Sequence, residues 1–143
     1  MNPAPWLIWA VLSATFAALV SIFAKAGLKH VDPDFAQFIR TAVVLPALAA
    51  FVVFTGKWQG AAAWSARTWA YLVLSGLATG ASWVCYFRAL SVGEASRVAA
   101  VDKLSVVIVA ILATIYLKEQ LGIASWCGIA LVAAGLVVVC LAR

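Results

Sequence analysis

Residues 121–142 read LGIASWCGIALVAAGLVVVCLA, about twenty positions without a single charge. About 20 helical residues cross the ~30 Å hydrocarbon core of a bilayer. A helix of this composition has no polar face to offer water. Residues 68–87 repeat the pattern, again with no charge. Runs 6–24, 35–54 and 98–117 have similar length, and charges fall mostly in the gaps between runs. With their flanking turns, helices are expected over about 6–25, 35–54, 68–88, 97–117 and 121–142. The chain reads as an all-α, integral membrane five-helix bundle, with residues 1–143 forming a single transmembrane domain.

Composition agrees. Hydrophobic residues make up 66% and charged residues 10%, against about 25% charged in soluble domains, so a soluble bundle is excluded. The first run invites comparison with a signal peptide. Residues 1–5 carry no Lys or Arg, however, and the run is long for a signal core, so it is read as a retained helix. The net charge of +5 comes from single, scattered basic residues. They read as flanks of membrane helices, not as a nucleic-acid surface. Cys85, Cys127 and Cys140 lie in apolar runs and match no zinc or redox spacing. His30 stands alone in a loop. Nothing here calls for a metal or a cofactor.

The loops are short. Residues 25–34 hold Gly27, His30 and Asp32-Pro33, a stop, a turn and a restart, with Asp34 read as the cap of helix 2. Residues 55–67 form the longest loop, 88–97 the third, and 118–120 a tight hairpin. None has room for an extramembrane catalytic site. An odd number of spans puts the two ends on opposite sides. One side carries Lys25, Lys29, Arg40, Arg88, Arg97, Lys103 and Arg143; the other carries Lys57, Arg67 and Lys118. Removing Arg40 and Lys103, which lie inside helices, leaves a weak bias toward a cytoplasmic C-terminus. Weak bias is what a chain inserting in both orientations would show.

Arg40 lies within helix 2, and Asp102 and Lys103 near the start of helix 4. An intramembrane charge costs roughly 2.5–3.5 kcal/mol and therefore faces a partner or a wet cavity. Two readings compete: a structural ion pair of Asp102 with Arg40 or Arg97, and a substrate or ion pathway. Successive residues point ~100° apart, so Asp102 and Lys103 are free to address different neighbours. Helix 3 carries Ser75, Thr79, Ser82 and Tyr86 on one face, with Trp83 beside them. The stripe is either a cavity lining or a ladder of interhelical hydrogen bonds. Gly76 and Gly80 have GxxxG spacing, which admits a close helix neighbour. Lys25 reads as an interfacial anchor. Trp6, Trp9, Trp58, Trp64, Trp69 and Trp126 lie near run ends, as an aromatic belt requires. Trp83 is interior and suits either packing or a ligand contact.

These strings resemble the drug/metabolite transporter superfamily, in particular its EamA-type half-size members. The matching residues are Ile39-Arg40-Thr41, the segment from Ser75 through Trp83 to Leu90, Gly93 to Ala99, and Val101-Asp102-Lys103-Leu104-Ser105. Glu119, Trp126, Gly128 and Gly135 complete the pattern. The family commonly has proline just before Val-Asp-Lys; this chain has Ala100, so the residue that would kink the helix is missing. The resemblance implies one half of an inverted-repeat, ten-helix transporter. It works by alternating access in a bacterial-type inner (plasma) membrane, paired with an antiparallel copy or a paralogous half. Inverted repeats around a midplane site are an established transporter architecture.

The first run has no Asp or Glu, so the cation–proton mechanism of small multidrug exporters is not supported. The buried charges are net basic. They favour export of a small anionic or zwitterionic metabolite, such as an amino acid; an organic cation stays open through Trp83 and Asp102. The pathway is expected to use Arg40, Ser75, Thr79, Ser82, Trp83, Tyr86, Asp102 and Lys103, with Gly76 and Gly80 for packing. The competing readings are a non-transporting scaffold or regulatory subunit and a flippase of a lipid-linked anionic sugar. An enzyme is not expected: no intramembrane His, HExxH motif or acid pair is present.

Overall fold

The computed structural model describes residues 5–60 and 64–141. Residues 1–4, residues 61–63 of the second loop, and Ala142 and Arg143 lie outside the described residues. The elements are α1 (Pro5–Gly27), a 3-10 turn (Leu28–His30), α2 (Pro33–Phe54), α3 (Ala66–Val92), α4 (Ala95–Asp102), α5 (Leu104–Leu112), a π-type turn (Ala113–Leu117) and α6 (Ile123–Leu141). Five helical stretches are long and apolar enough to cross a membrane: Trp6–His30, Pro33–Phe54, Ala66–Val92, Ala95–Leu117 and Ile123–Leu141. The all-helical, five-span reading of the sequence is borne out. Among the described residues the buried apolar side chains are Leu28, Phe87, Leu90, Ala110 and Ala113. Phe16, Leu45, Leu77, Leu131 and Leu141 stand exposed with many others. Water does not tolerate apolar surface on this scale; lipid and neighbouring helices do.

The chain divides into two compact units. The first contains Met1–Phe23 and Gly93–Arg143. Within it, α4 and α5 pack along α6, with the small side chains of Ala110 and Ala113 buried. The fourth span is not one continuous α-helix. At Lys103 the backbone tightens: its N–H donates to Ala100 O at 2.9 Å, and Val106 N–H donates to Lys103 O at 3.0 Å. These are three-residue steps inside a four-residue helix. The interruption therefore occurs without the missing proline. It accompanies a contact between Lys103 Nζ and Asp102 Oδ2 at 3.3 Å, although neighbours i and i+1 do not face each other on a regular helix. The two charges do not address different neighbours, as the sequence allowed; they address each other. The span ends with Lys118 in the left-handed region, φ 56°, and Glu119 N–H reaching back to Ala113 O at 3.2 Å.

The second unit is Ala24–Val92. Here α2 and α3 pack against each other, and the 3-10 turn packs on α3. The cap of α2 is Asp32, not Asp34. Asp32 Oδ1 accepts from the N–H groups of Asp34 at 2.9 Å and Phe35 at 3.1 Å. Pro33 occupies the first helical position, where its missing N–H is not needed. Asp34 is thereby released for another task. Its carboxylate receives both arms of the Arg88 guanidinium, Nε to Oδ1 at 2.8 Å and Nη2 to Oδ2 at 2.6 Å. Arg88 is not a loop residue: α3 continues through it to Val92, because Leu90 is fully buried and anchors the last turn. An acid at the start of α2 and a base at the end of α3 also suit the dipoles of an antiparallel pair. Lys25 does more than anchor at the interface. Its Nζ donates to Leu90 O at 2.6 Å, satisfying one of the carbonyls that α3 leaves open at its end. At the far end of α2, Gly56 takes φ 65°. Gly56 N–H then reaches Val53 O and Lys57 N–H reaches Val52 O, both at 3.0 Å, a Schellman closure that needs a residue without a Cβ.

The Asp34–Arg88 fork is expected to hold the α2–α3 pair. Asp34→Asn and Arg88→Gln should each lower the melting temperature in detergent, and the double variant should lower it little further. Additive losses would show that the two side chains act independently.

Candidate functional site

The α2–α3 pair brings together the two interior residues that attracted most interest in the sequence. Arg40 lies about 10 Å along α2 from its start, at 1.5 Å per residue. Its guanidinium carbon stands 3.7 Å from the centroid of the Trp83 ring and 6.0 Å from that of Phe87. Both Arg40 and Trp83 are half-buried. Trp83 is held in turn by two edge contacts, with Tyr86 at 5.4 Å and Phe87 at 6.0 Å between centroids. Phe87 is buried, so the indole has a fixed backing. A cation over an indole face contributes about 1 kcal/mol when exposed and about 2 or more when desolvated. That offsets part of the cost of placing Arg40 in a membrane helix.

The other contact of Arg40 is neutral. Its Nη1 donates to Gln37 Oε1 at 3.3 Å. Gln37 is buried, and its Nε2 donates to Thr41 Oγ1 at 3.2 Å. Thr41 Oγ1 donates to Gln37 O at 2.9 Å. The amide is therefore oriented from its own helix, with its oxygen toward the guanidinium. The ion pairs among the described residues are Arg88–Asp34, Arg97–Glu94 and Lys103–Asp102; none includes Arg40. Within the unit that holds both, the pairing of Asp102 with Arg97 that the sequence left open is replaced. Arg97 Nε takes Glu94 at 3.0 Å, and Asp102 takes Lys103.

On α3 the hydroxyl stripe has two characters. Ser75, Thr79 and Ser82 are exposed, whereas Tyr86 is half-buried against Trp83. Thr79 Oγ1 donates to Ser75 O at 2.8 Å, so its proton is spent on its own helix and its lone pairs remain available. A Cβ built at Gly76 or Gly80 meets nothing within 4 Å. Among the described residues of this unit, no helix makes the close approach that their spacing permits. Asp102 and Lys103 belong to the other unit, at the interruption between α4 and α5.

Thr41 entered the sequence reading only within Ile39-Arg40-Thr41, and Gln37 not at all. Their signal was the 37, 40, 41 spacing, which places three polar side chains on one helical face. The Asp34–Arg88 fork carried no such local signal, because its members are 54 residues apart.

The EamA-like transporter family model matches residues 4–141. The chain belongs to this family. Membership accords with the strings around Ile39-Arg40-Thr41, Ser75 to Trp83 and Val101 to Ser105. A protein from Sinorhizobium sp. named "Uncharacterized transporter in cobO 3'region" is 54% identical over 130 residues, covering 91% of this chain and 92% of that protein. No solved structure matches the chain. Family and relative together make this EamA-like chain a membrane transporter, and Arg40 on Trp83 is its most distinctive interior arrangement.

Cysteines at Ser75, Thr79 and Ser82, in a background lacking Cys85, Cys127 and Cys140, should react with a membrane-impermeant thiol reagent faster than a cysteine at Leu74. Faster reaction at Leu74 would put the wrong face of α3 toward water.

Proposed function

We propose that this EamA-like protein exports a small polar metabolite bearing a carboxylate or phosphate, anionic or zwitterionic like an amino acid. It works by alternating access in a bacterial-type inner (plasma) membrane. One observation carries the reading: the face of Trp83 is already covered by the Arg40 guanidinium. A cationic solute would have to compete with a cation that is covalently part of the wall. An anion finds a half-buried guanidinium that no carboxylate neutralises among the described residues of its own unit. Charge-assisted hydrogen bonds to such a group are about twice as strong as neutral ones. The exposed hydroxyls of Ser75, Thr79 and Ser82 on the same helix add neutral hydrogen bonds for the rest of a polar solute.

The working unit we propose is an antiparallel pair, of two copies or of this chain with a paralogous half. An odd number of spans inverts a second half automatically, and the weak charge bias permits both orientations. Gly76 and Gly80, which no helix of their own unit approaches, support a close contact with a further helix.

Flux into proteoliposomes, measured across a panel of amino acids, carboxylates, phosphates and organic cations, tests the reading. Anionic or zwitterionic solutes should move, and Arg40→Gln should slow them at least about tenfold, the loss expected for a charged hydrogen bond. Arg40→Lys should retain only part of the rate, since lysine keeps the charge but not the planar fork or the stack. Movement of organic cations alone, or full activity in Arg40→Gln, would overturn it.

A further inference from the structure

We infer that Gln37 sets the sign of the charge that the pathway accepts, an inference that rests on the anion-transport reading above. The argument starts from what surrounds Arg40. A guanidinium inside a membrane helix is commonly matched by a carboxylate. Here the position within reach is occupied by a side chain of the same shape as glutamate but without its charge. Gln37 is buried at 7% exposure, and its oxygen lies 3.3 Å from Arg40 Nη1. Its amide nitrogen is committed to Thr41, which fixes the oxygen toward the guanidinium.

This contact holds Arg40 in place without cancelling its charge. One edge of the guanidinium is taken by Gln37 and one face by Trp83. Arginine has five N–H donors in a rigid plane. Among the described residues of this unit no second acceptor takes those that remain. They form an in-plane edge of the kind that receives a carboxylate or phosphate with two parallel hydrogen bonds. Glutamate at position 37 would fill that role from inside the protein and leave the site neutral. Gln37 is therefore a specificity-determining residue that acts through Arg40, and the chemistry it selects is an anionic group, carboxylate or phosphate, able to bind side-on.

The test reads the local charge directly. In a variant whose only tryptophan is Trp83, fluorescence quenching by iodide is compared with quenching by neutral acrylamide. With Gln37 present, iodide should quench more efficiently relative to acrylamide than in Gln37→Glu, by at least about threefold, as a unit charge beside the ring requires. Gln37→Leu should keep the iodide preference, because it removes the hydrogen bond but not the charge. Arg40→Gln should lose it, which keeps the inference testable if Gln37→Glu does not fold. An unchanged ratio in Gln37→Glu, an equal loss in Gln37→Leu, or a retained preference in Arg40→Gln would each overturn the inference. Proteoliposome flux on the same variants separates the two claims. If the unmodified protein moves no anion yet the quenching pattern holds, the transport reading fails and the charge assignment stands. If anions move and Gln37→Glu moves them with unchanged KM, the assignment fails and the transport reading stands.

Discussion

A charge carried into hydrocarbon needs something to replace its water, and Arg40 is where this chain meets that requirement most sharply. The substitutes are an indole face at 3.7 Å and a neutral amide oxygen at 3.3 Å. Both depend on α2 and α3 lying antiparallel in register. That register is fixed about one and a half turns away, where Asp34 and Arg88 form a bidentate fork. Leu90, fully buried, and Phe87 hold the end of α3, and Lys25 closes one of its open carbonyls. The interior site thus hangs on interactions at one end of the helix pair. Removing the fork is expected to matter to the site through geometry, not through charge.

The remaining charges show a division of labour. Two pairs lie near helix ends: Asp34 with Arg88, and Arg97 with Glu94. Asp102 and Lys103 are paired across a local tightening of the fourth span. Broken helices recur in transporters at binding sites, because an interrupted ladder exposes backbone polar groups where they are useful. Arg40, inside a span, differs from these pairs in keeping its charge uncompensated by any acid among the described residues of its own unit. That contrast is the physical basis for reading it as a solute contact and the others as fastenings.

The five spans were legible because hydrophobic length is a local property. Residues 121–142 and 68–87 declare themselves without reference to anything else. Arg40 and Trp83 could each be singled out, since a charge and a tryptophan inside apolar runs are exceptions wherever they occur. Their stacking could not be read, because it depends on how residues 43 positions apart are brought together. The cap of α2 was misplaced by two residues: Asp32 and Asp34 both suit the role, and only the Pro33 position and the distant Arg88 decide between them. With Ala100 in place of proline the sequence left a kink in the fourth span in doubt, and the backbone tightens at Lys103. Proline is one way to interrupt a helix, and a paired Asp-Lys neighbour accompanies another here. Gln37 was overlooked because the 37, 40, 41 spacing puts three polar residues on one face without showing that the amide oxygen meets the guanidinium.

The account stands or falls on the state of the Arg40 guanidinium. Spectra of isotope-labelled arginine in the protein, reconstituted in lipid nanodiscs, observe it directly. An N–H group lying over an indole ring is shifted upfield by the ring current. Arg40 should show that shift, lose it in Trp83→Leu, and move again when a transported carboxylate is added. An Arg40 signal at the position of a solvated arginine, unchanged in Trp83→Leu and indifferent to added carboxylates and phosphates, would contradict it.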